Sequence, residues 1–274
     1  MELDKVIDKV FHSKQFKIEP MNKGLTNHNY KLFVNDNIYV LRIPRSDSSQ
    51  VVNRKHEEEA ILYSKDLNID IENIYFDVES GYKITKYIDG LYEFQECPYQ
   101  DKIEKVARLM KKLHAKHQTI SYDFNPIARY QQYVSHIKKM LYPLENFHNI
   151  LNEITKFNHY KIFCHNDWVS GNILFDKEHT YLIDYEYGAN NHPYFDVMSF
   201  ITENQITDEN ERKRFYDIYF GEEIPYHDLT IWENFHNLLW CAWANMMYDS
   251  RQEEIYMIIA KEKYDALCTS YQKL

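Results

Sequence analysis

The stretch C-H-N-D-W-V-S-G-N-I-L-F-D-K-E-H-T-Y-L-I-D-Y-E-Y, residues 164–187, decides the reading of this chain. I-F-C at 162–164, N-I-L-F at 172–175 and T-Y-L-I-D-Y at 180–185 are short strand-like runs, with the turn D-K-E-H between the last two. A polar loop joins the first run to the second and carries Asp167 and Asn172, five residues apart; Asp184 follows twelve residues later, after the hairpin. Short strands crossing a polar loop inside a helical region serve a site rather than a core.

Upstream, residues 17–44 read as strand, tight loop, strand, turn and strand: K-I-E-P-M-N, K-G-L-T-N, H-N-Y-K-L-F-V, N-D-N and I-Y-V-L-R-I-P. Residues 50–67 suit a partly exposed helix, and I-Y-F-D-V and Y-K-I-T-K-Y-I predict two more strands around the turn E-S-G at Gly81. Beyond Asp89 and Gly90 the chain turns mainly helical. Val106, Leu109, Met110 and Leu113 recur at i, i+3, i+4 and i+7, which predicts a helix over 100–117 with one apolar stripe. The expected architecture is α+β: a small antiparallel-sheet N-terminal lobe over 1–88, and a larger, mainly helical C-terminal lobe over 89–274.

The Asp-x-x-x-x-Asn spacing with a later Asp is that of a kinase catalytic loop. Phosphoryl transfer needs a carboxylate to orient the acceptor hydroxyl and take its proton, and an amide oxygen and a second carboxylate to hold magnesium against the phosphates of ATP. Asp167 fits the first task; Asn172 and Asp184 fit the second. His165 reads as a loop anchor, because Asp167 already fills the base position. Asp196 reads as an acceptor for the backbone amides of the catalytic loop.

Composition bounds the partners. With 274 residues and 44% hydrophobic content, the chain can form one large domain or two lobes sharing a cleft. Its formal charge of -10 opposes binding to nucleic acid or an acidic membrane surface and attracts a cationic substrate. Cys97, Cys164, Cys241 and Cys268 show neither C-x-x-C spacing nor zinc-like pairing with His, so a reducing cytosol fits best and no disulfide framework is expected. Met1 to Phe16 lacks the apolar stretch of a signal peptide, and Leu238 to Met247, too short to span a bilayer, reads as a buried helix. Nothing in the sequence bears on oligomeric state.

H-N-D-x-x-x-x-N with I-D-Y-E-Y resembles the choline/ethanolamine kinase family, within the wider aminoglycoside phosphotransferase group of protein-kinase-like fold. The resemblance covers nearly the whole chain. It implies that G-L-T-N from Gly24 is a phosphate-binding hairpin, with Gly24, Thr26 and Asn27 facing the nucleotide; only one glycine is present, so Thr26 and Asn27 must supply contacts. It makes Arg42 of V-L-R-I-P the cation on the ATP phosphates, a role that a guanidinium suits. Glu57 of R-K-H-E is then its partner, with Glu58 and Glu59 as neighbouring candidates and a solvated helix face as the plain alternative. Glu186, on the same side as Asp184 if the segment stays extended, supports the metal or anchors the loop.

Trp240 and Trp243, three apart on a predicted helix, share a face that reads either as core or as a pocket wall. The resemblance favours the wall, since choline kinases carry a similar W-x-x-W whose rings enclose the quaternary ammonium. Tyr187 and Glu203 would complete that cage, though Glu203 also reads as an ordinary exposed helix end. The substrate so implied is choline or a related amino alcohol, with ATP and magnesium as cofactors. Ethanolamine, thiamine, an aminoglycoside, or a catalytically dead nucleotide-binding module remain the alternatives.

Overall fold

A computed structural model of the chain describes residues 2–21, 27–45 and 53–274. Helix α1 (Glu2–Phe11) leads into strands β1 (Lys17–Met21), β2 (Asn27–Val34) and β3 (Asn37–Pro44); helix α2 (Arg54–Lys65) follows, then β4 (Asn73–Phe76) and β5 (Lys83–Lys86). These strands form one antiparallel sheet in the order β1-β2-β3-β5-β4. Its register is pinned at the β2–β3 hairpin, where Asn35 and Asp36 both adopt positive φ (49° and 60°), the geometry that matches strand twist in a two-residue loop. Gly81, at φ 76°, makes the turn between β4 and β5. Leu32, Val34, Leu41 and Ile84 on one sheet face bury Val6 and Ile7 of α1.

The expected order of elements is therefore present, with tighter bounds. The Asn53 side chain accepts from Lys55 N and caps α2 at its N-terminus. The expected helix start at residue 50 lies outside the described residues. The expected 100–117 helix is α3 (Lys102–His114), with Val106, Leu109, Met110 and Leu113 all buried.

A two-residue strand β6 (Tyr92–Glu93), not expected from sequence, precedes α3; α4 (Pro126–His136) and α5 (His148–Thr155) follow it. Then come β7 (Ile162–Cys164), β8 (Ile173–Phe175), β9 (Thr180–Leu182) and β10 (Ala189–Asn191). Strand β6 joins the β8–β9 hairpin, and β10 pairs with β7. Helices α6 (Pro193–Glu203), α7 (Glu209–Tyr219), α8 (Tyr226–Arg251) and α9 (Glu254–Tyr271) complete the fold.

Helix α8 is the spine of the helical part. Leu238 through Asn245 are buried without interruption, because α4, α5, α6 and α9 all pack against it. Among the described residues, no helix is long and apolar enough to cross a membrane.

Candidate active site

The catalytic loop spans the gap between β7 and β8 and is fixed from behind by Asp196 of α6. One Asp196 oxygen accepts from Asn166 N at 2.7 Å; the other accepts from His165 N at 2.9 Å and lies 3.0 Å from His114 Nε2. Burial raises the Asp196 carboxyl, but His114, Trp168 and His165 together outweigh it, so the group sits below its usual range. His165 is fully buried with Nε2 3.0 Å from Ile183 O, which makes it a loop anchor. His114, Cys164 and Asp196 bring potential ligand atoms within 4.8 Å of one another, but both Asp196 oxygens are already engaged in holding the loop. All four cysteines are free thiols.

Asn166 has positive φ (66°), and its amide nitrogen donates to the carbonyls of Cys164, Tyr187 and Ala189. That single side chain ties the catalytic loop to the segment after Asp184. The next residue, Asp167, turns into the cleft, where its Oδ2 accepts from Asn172 Nδ2 at 2.9 Å. Burial, followed by the carboxylates of Glu186, Glu203 and Asp184, pushes the Asp167 carboxyl well above its ordinary range, against the Asn172 amide. Because the Asn172 nitrogen is spent on Asp167, its amide oxygen is the atom left for a cation.

Asp184 follows β9 in a left-handed conformation (φ 65°), and the backbone then turns, with Gly188 N donating to Tyr185 O. The expected extended path for 184–186 is therefore incorrect. A Cβ at Gly188 would lie 2.9 Å from the Ala60 side chain and 3.1 Å from Tyr185 O, so the tight turn against α2 requires a glycine. Glu186 reaches the cleft by this turn and accepts from Asn27 Nδ2 at 3.2 Å. Burial and Asp184 lift the Glu186 carboxyl to about 8, opposed by Arg42. Carboxylates crowded with an amide oxygen form the hard-oxygen donor set that suits magnesium.

Arg42 on β3 bridges the sheet and this loop. Its Nη2 lies 2.5 Å from Glu57 Oε1 and its Nη1 2.6 Å from Asp184 Oδ1. Of the three adjacent glutamates, Glu57 is the buried partner; Glu58 is exposed and Glu59 accepts from Ser121 N and Oγ. Gly24 and Thr26 lie outside the described residues, whereas Asn27, described at the start of β2, holds Glu186.

One cavity of about 1430 Å³ joins these groups to the aromatic residues. Its lining includes the apolar side chains of Val40, Ile71, Ile88, Leu174 and Ile183 as well as Arg42, Asp167, Tyr187, Glu203, Trp240 and Trp243. Trp240 packs edge-on to Tyr187 (centroids 5.7 Å apart, 88°) and to Trp243 (5.5 Å, 81°). The two tryptophans are nearly buried, and both line the cavity.

Several site residues escaped the sequence reading. Glu203 is not a free helix-end carboxylate, because buried Lys263 on α9 donates to its Oε1 at 2.7 Å. Trp240 Nε1 donates to His236 Nε2 at 2.9 Å, and His236 Nδ1 lies 2.7 Å from Thr202 Oγ1. Asp70 and Lys83 also face the cavity; burial, opposed by Lys83, lifts Asp70 to about 6. A signal for Lys263 existed: Tyr256, Ala260, Lys263, Leu267 and Ser270 make one buried helical stripe, and a lysine within such a stripe needs a partner.

The sequence profile of the choline/ethanolamine kinase family matches residues 18–228. Protein LicA of Haemophilus influenzae is 26% identical over 263 residues, which span 87% of this chain and 76% of that protein. Choline kinase LicA from Streptococcus pneumoniae aligns over the whole of both chains with a TM-score of 0.81 at 21% identity. An ethanolamine kinase of Plasmodium vivax aligns with a TM-score of 0.72 at 15% identity, over 92% of this chain and 82% of that one. The family match defines a phosphotransferase acting on an alcohol group, and the fold is the two-lobed, protein-kinase-like α+β architecture. The chain belongs to the choline/ethanolamine kinase family.

Proposed function

We propose that this protein transfers the terminal phosphoryl group of ATP to the hydroxyl of choline, forming phosphocholine, in a cytosolic, magnesium-dependent reaction. Residues 1–88 act as the nucleotide-binding lobe and 89–274 as the catalytic and substrate-binding lobe. The observation that carries the reading is the shared cavity, in which Trp240, Trp243 and Tyr187 form aromatic walls on the same space as Asp167. A trimethylammonium group donates no hydrogen bond, so aromatic faces recognise it, each contributing on the order of 0.5–2 kcal/mol.

Within the cleft, Asp167 orients the hydroxyl and accepts its proton, its carboxylate being held in place by Asn172 Nδ2 at 2.9 Å. Arg42, held by Glu57, presents a fixed positive charge toward the phosphates. Asn172, Asp184 and Glu186 would hold magnesium, which neutralises charge on the phosphates when bound. Gly24 and Thr26 are proposed as phosphate contacts on the family resemblance of G-L-T-N alone. The formal charge of -10 favours a cationic small-molecule acceptor and opposes nucleic acid.

Ethanolamine is the second reading, because the family includes both substrates. A coupled ADP-release assay with magnesium and a panel of choline, ethanolamine, thiamine and aminoglycosides tests the proposal. Choline is expected to give the highest kcat/KM; a preference for an aminoglycoside or thiamine overturns it.

A further inference from the structure

We propose that Lys263 sets the choice between a quaternary and a primary ammonium, by occupying the carboxylate that a primary amine would need. The inference rests on the reading of the aromatic site as an ammonium pocket.

Lys263 comes from α9, and only 8% of its side chain is exposed; Glu203 ends α6 at 18%. Both line the cavity with Trp240, Trp243 and Tyr187. The 2.7 Å contact places the Lys263 ammonium on Glu203 Oε1, so the carboxylate is neutralised and one of its oxygens is taken before any ligand arrives. The neighbouring groups hold this arrangement. His236, 3.7 Å from the same Glu203 oxygen, accepts from Trp240 Nε1 through Nε2, so its proton is on Nδ1 and points to Thr202 Oγ1. Burial, and then Lys263, keep this histidine neutral. Glu233, on the same cavity wall, is closed by a two-point contact from Arg212 at 2.8 and 3.0 Å.

A primary ammonium carries three N–H donors, and each one left unpaired in a pocket of ring faces is costly. A quaternary ammonium has none and asks only for the faces and the local field. The Lys263–Glu203 pair therefore penalises ethanolamine and leaves choline nearly untouched. Specificity of this kind comes from polar groups left unmatched rather than from added attraction.

The test compares Lys263→Met, which keeps stem length without charge, with Lys263→Arg, which keeps the ion pair, using saturation kinetics on choline and ethanolamine. Lys263→Met is expected to raise the ethanolamine-to-choline ratio of kcat/KM about tenfold, the worth of one hydrogen bond to a charged group. Lys263→Arg should keep the wild-type ratio, and Lys263→Met with Glu203→Gln should lose the gain. An unmoved ratio in folded Lys263→Met overturns the proposal while leaving the choline reading intact; a wild type that uses neither amine overturns the choline reading itself. Should Lys263→Met fail to fold, calorimetry on the wild-type protein decides: tetramethylammonium is expected to bind at least tenfold tighter than methylammonium, about one hydrogen bond to a charged group. Equal or reversed affinities overturn the proposal.

Discussion

Arg42 holds Asp184 at 2.6 Å across 142 residues of chain, with the same guanidinium that grips Glu57 at 2.5 Å. Burial opposes the charge of Arg42, but Glu57, Asp184 and Glu186 outweigh it and raise its proton affinity further. Arg42 is thus the joint between the sheet, helix α2 and the loop after β9. Replacing it by Met strands the buried Glu57 and should cost about 3 kcal/mol of stability. Arg42→Lys, a point charge without the planar fork, should keep the fold but lose at least tenfold in kcat/KM, an order-of-magnitude figure for one lost charge-assisted contact. Thermal melts beside kinetics check both; a Lys variant of wild-type activity contradicts the bridging role.

Asp167→Asn should lower kcat by about 10³-fold, within the range for removal of a general base. Nucleotide affinity should stay within about twofold, because the amide oxygen can still accept from Asn172 Nδ2 and the phosphate-facing residues are untouched. Single-turnover rates beside nucleotide titrations give the answer, and substantial residual turnover rules out Asp167 as the proton acceptor.

Trp240 and Trp243 differ in what lies behind them: the Trp240 indole N–H is held by His236, whereas the buried Trp243 N–H has no hydrogen-bond partner among the described residues. Changing either to Ala should raise the choline KM up to about thirtyfold, the equivalent of about 2 kcal/mol of cation–π contact, with the ATP KM unchanged. The Phe variants separate binding from packing, since a phenyl ring keeps most of the buried volume. Early melting with unaltered choline constants would mean that the rings serve only as core.

His192 caps α6 by accepting from Tyr194 N and stacks on Trp232. Burial, then the charges of His159 and His114, hold it down at about 4. The unfolded chain takes up this proton near pH 6.5, so the stabilisation is full above that value and is lost as pH falls toward 4, by about 3 kcal/mol in all. His192→Asn keeps a capping side chain and should flatten the pH dependence of the melting temperature between 6.5 and 4. An unchanged slope would assign the acid sensitivity to other groups.

Much of the site was legible because its residues are close in sequence. Asp167, Asn172 and Asp184 sit on one loop and one hairpin, and local spacing reports them. The choice of Glu57 over Glu58 and Glu59 came from the family resemblance and not from local pattern, since the rotation of α2 is set by its Asn53 cap and by packing against Gly188. The positive φ of Asp184 defeated the extended reading of 184–186, although Glu186 still reaches the cleft. Lys263 meets Glu203 across 60 residues, and a helical lysine on its own resembles any solvated charge. Long-range pairs of this kind are products of packing, and only the burial stripe of α9 hinted at one.

In the proposed reaction choline is the phosphoryl acceptor beside Asp167. Following the ³¹P NMR spectrum of the protein with ATP, magnesium and choline tests this directly. A phosphocholine resonance is expected to grow in step with ADP, and to be absent with folded Asp167→Asn. ADP formation without phosphocholine, or phosphocholine formed equally well by the Asp167 variant, would contradict it.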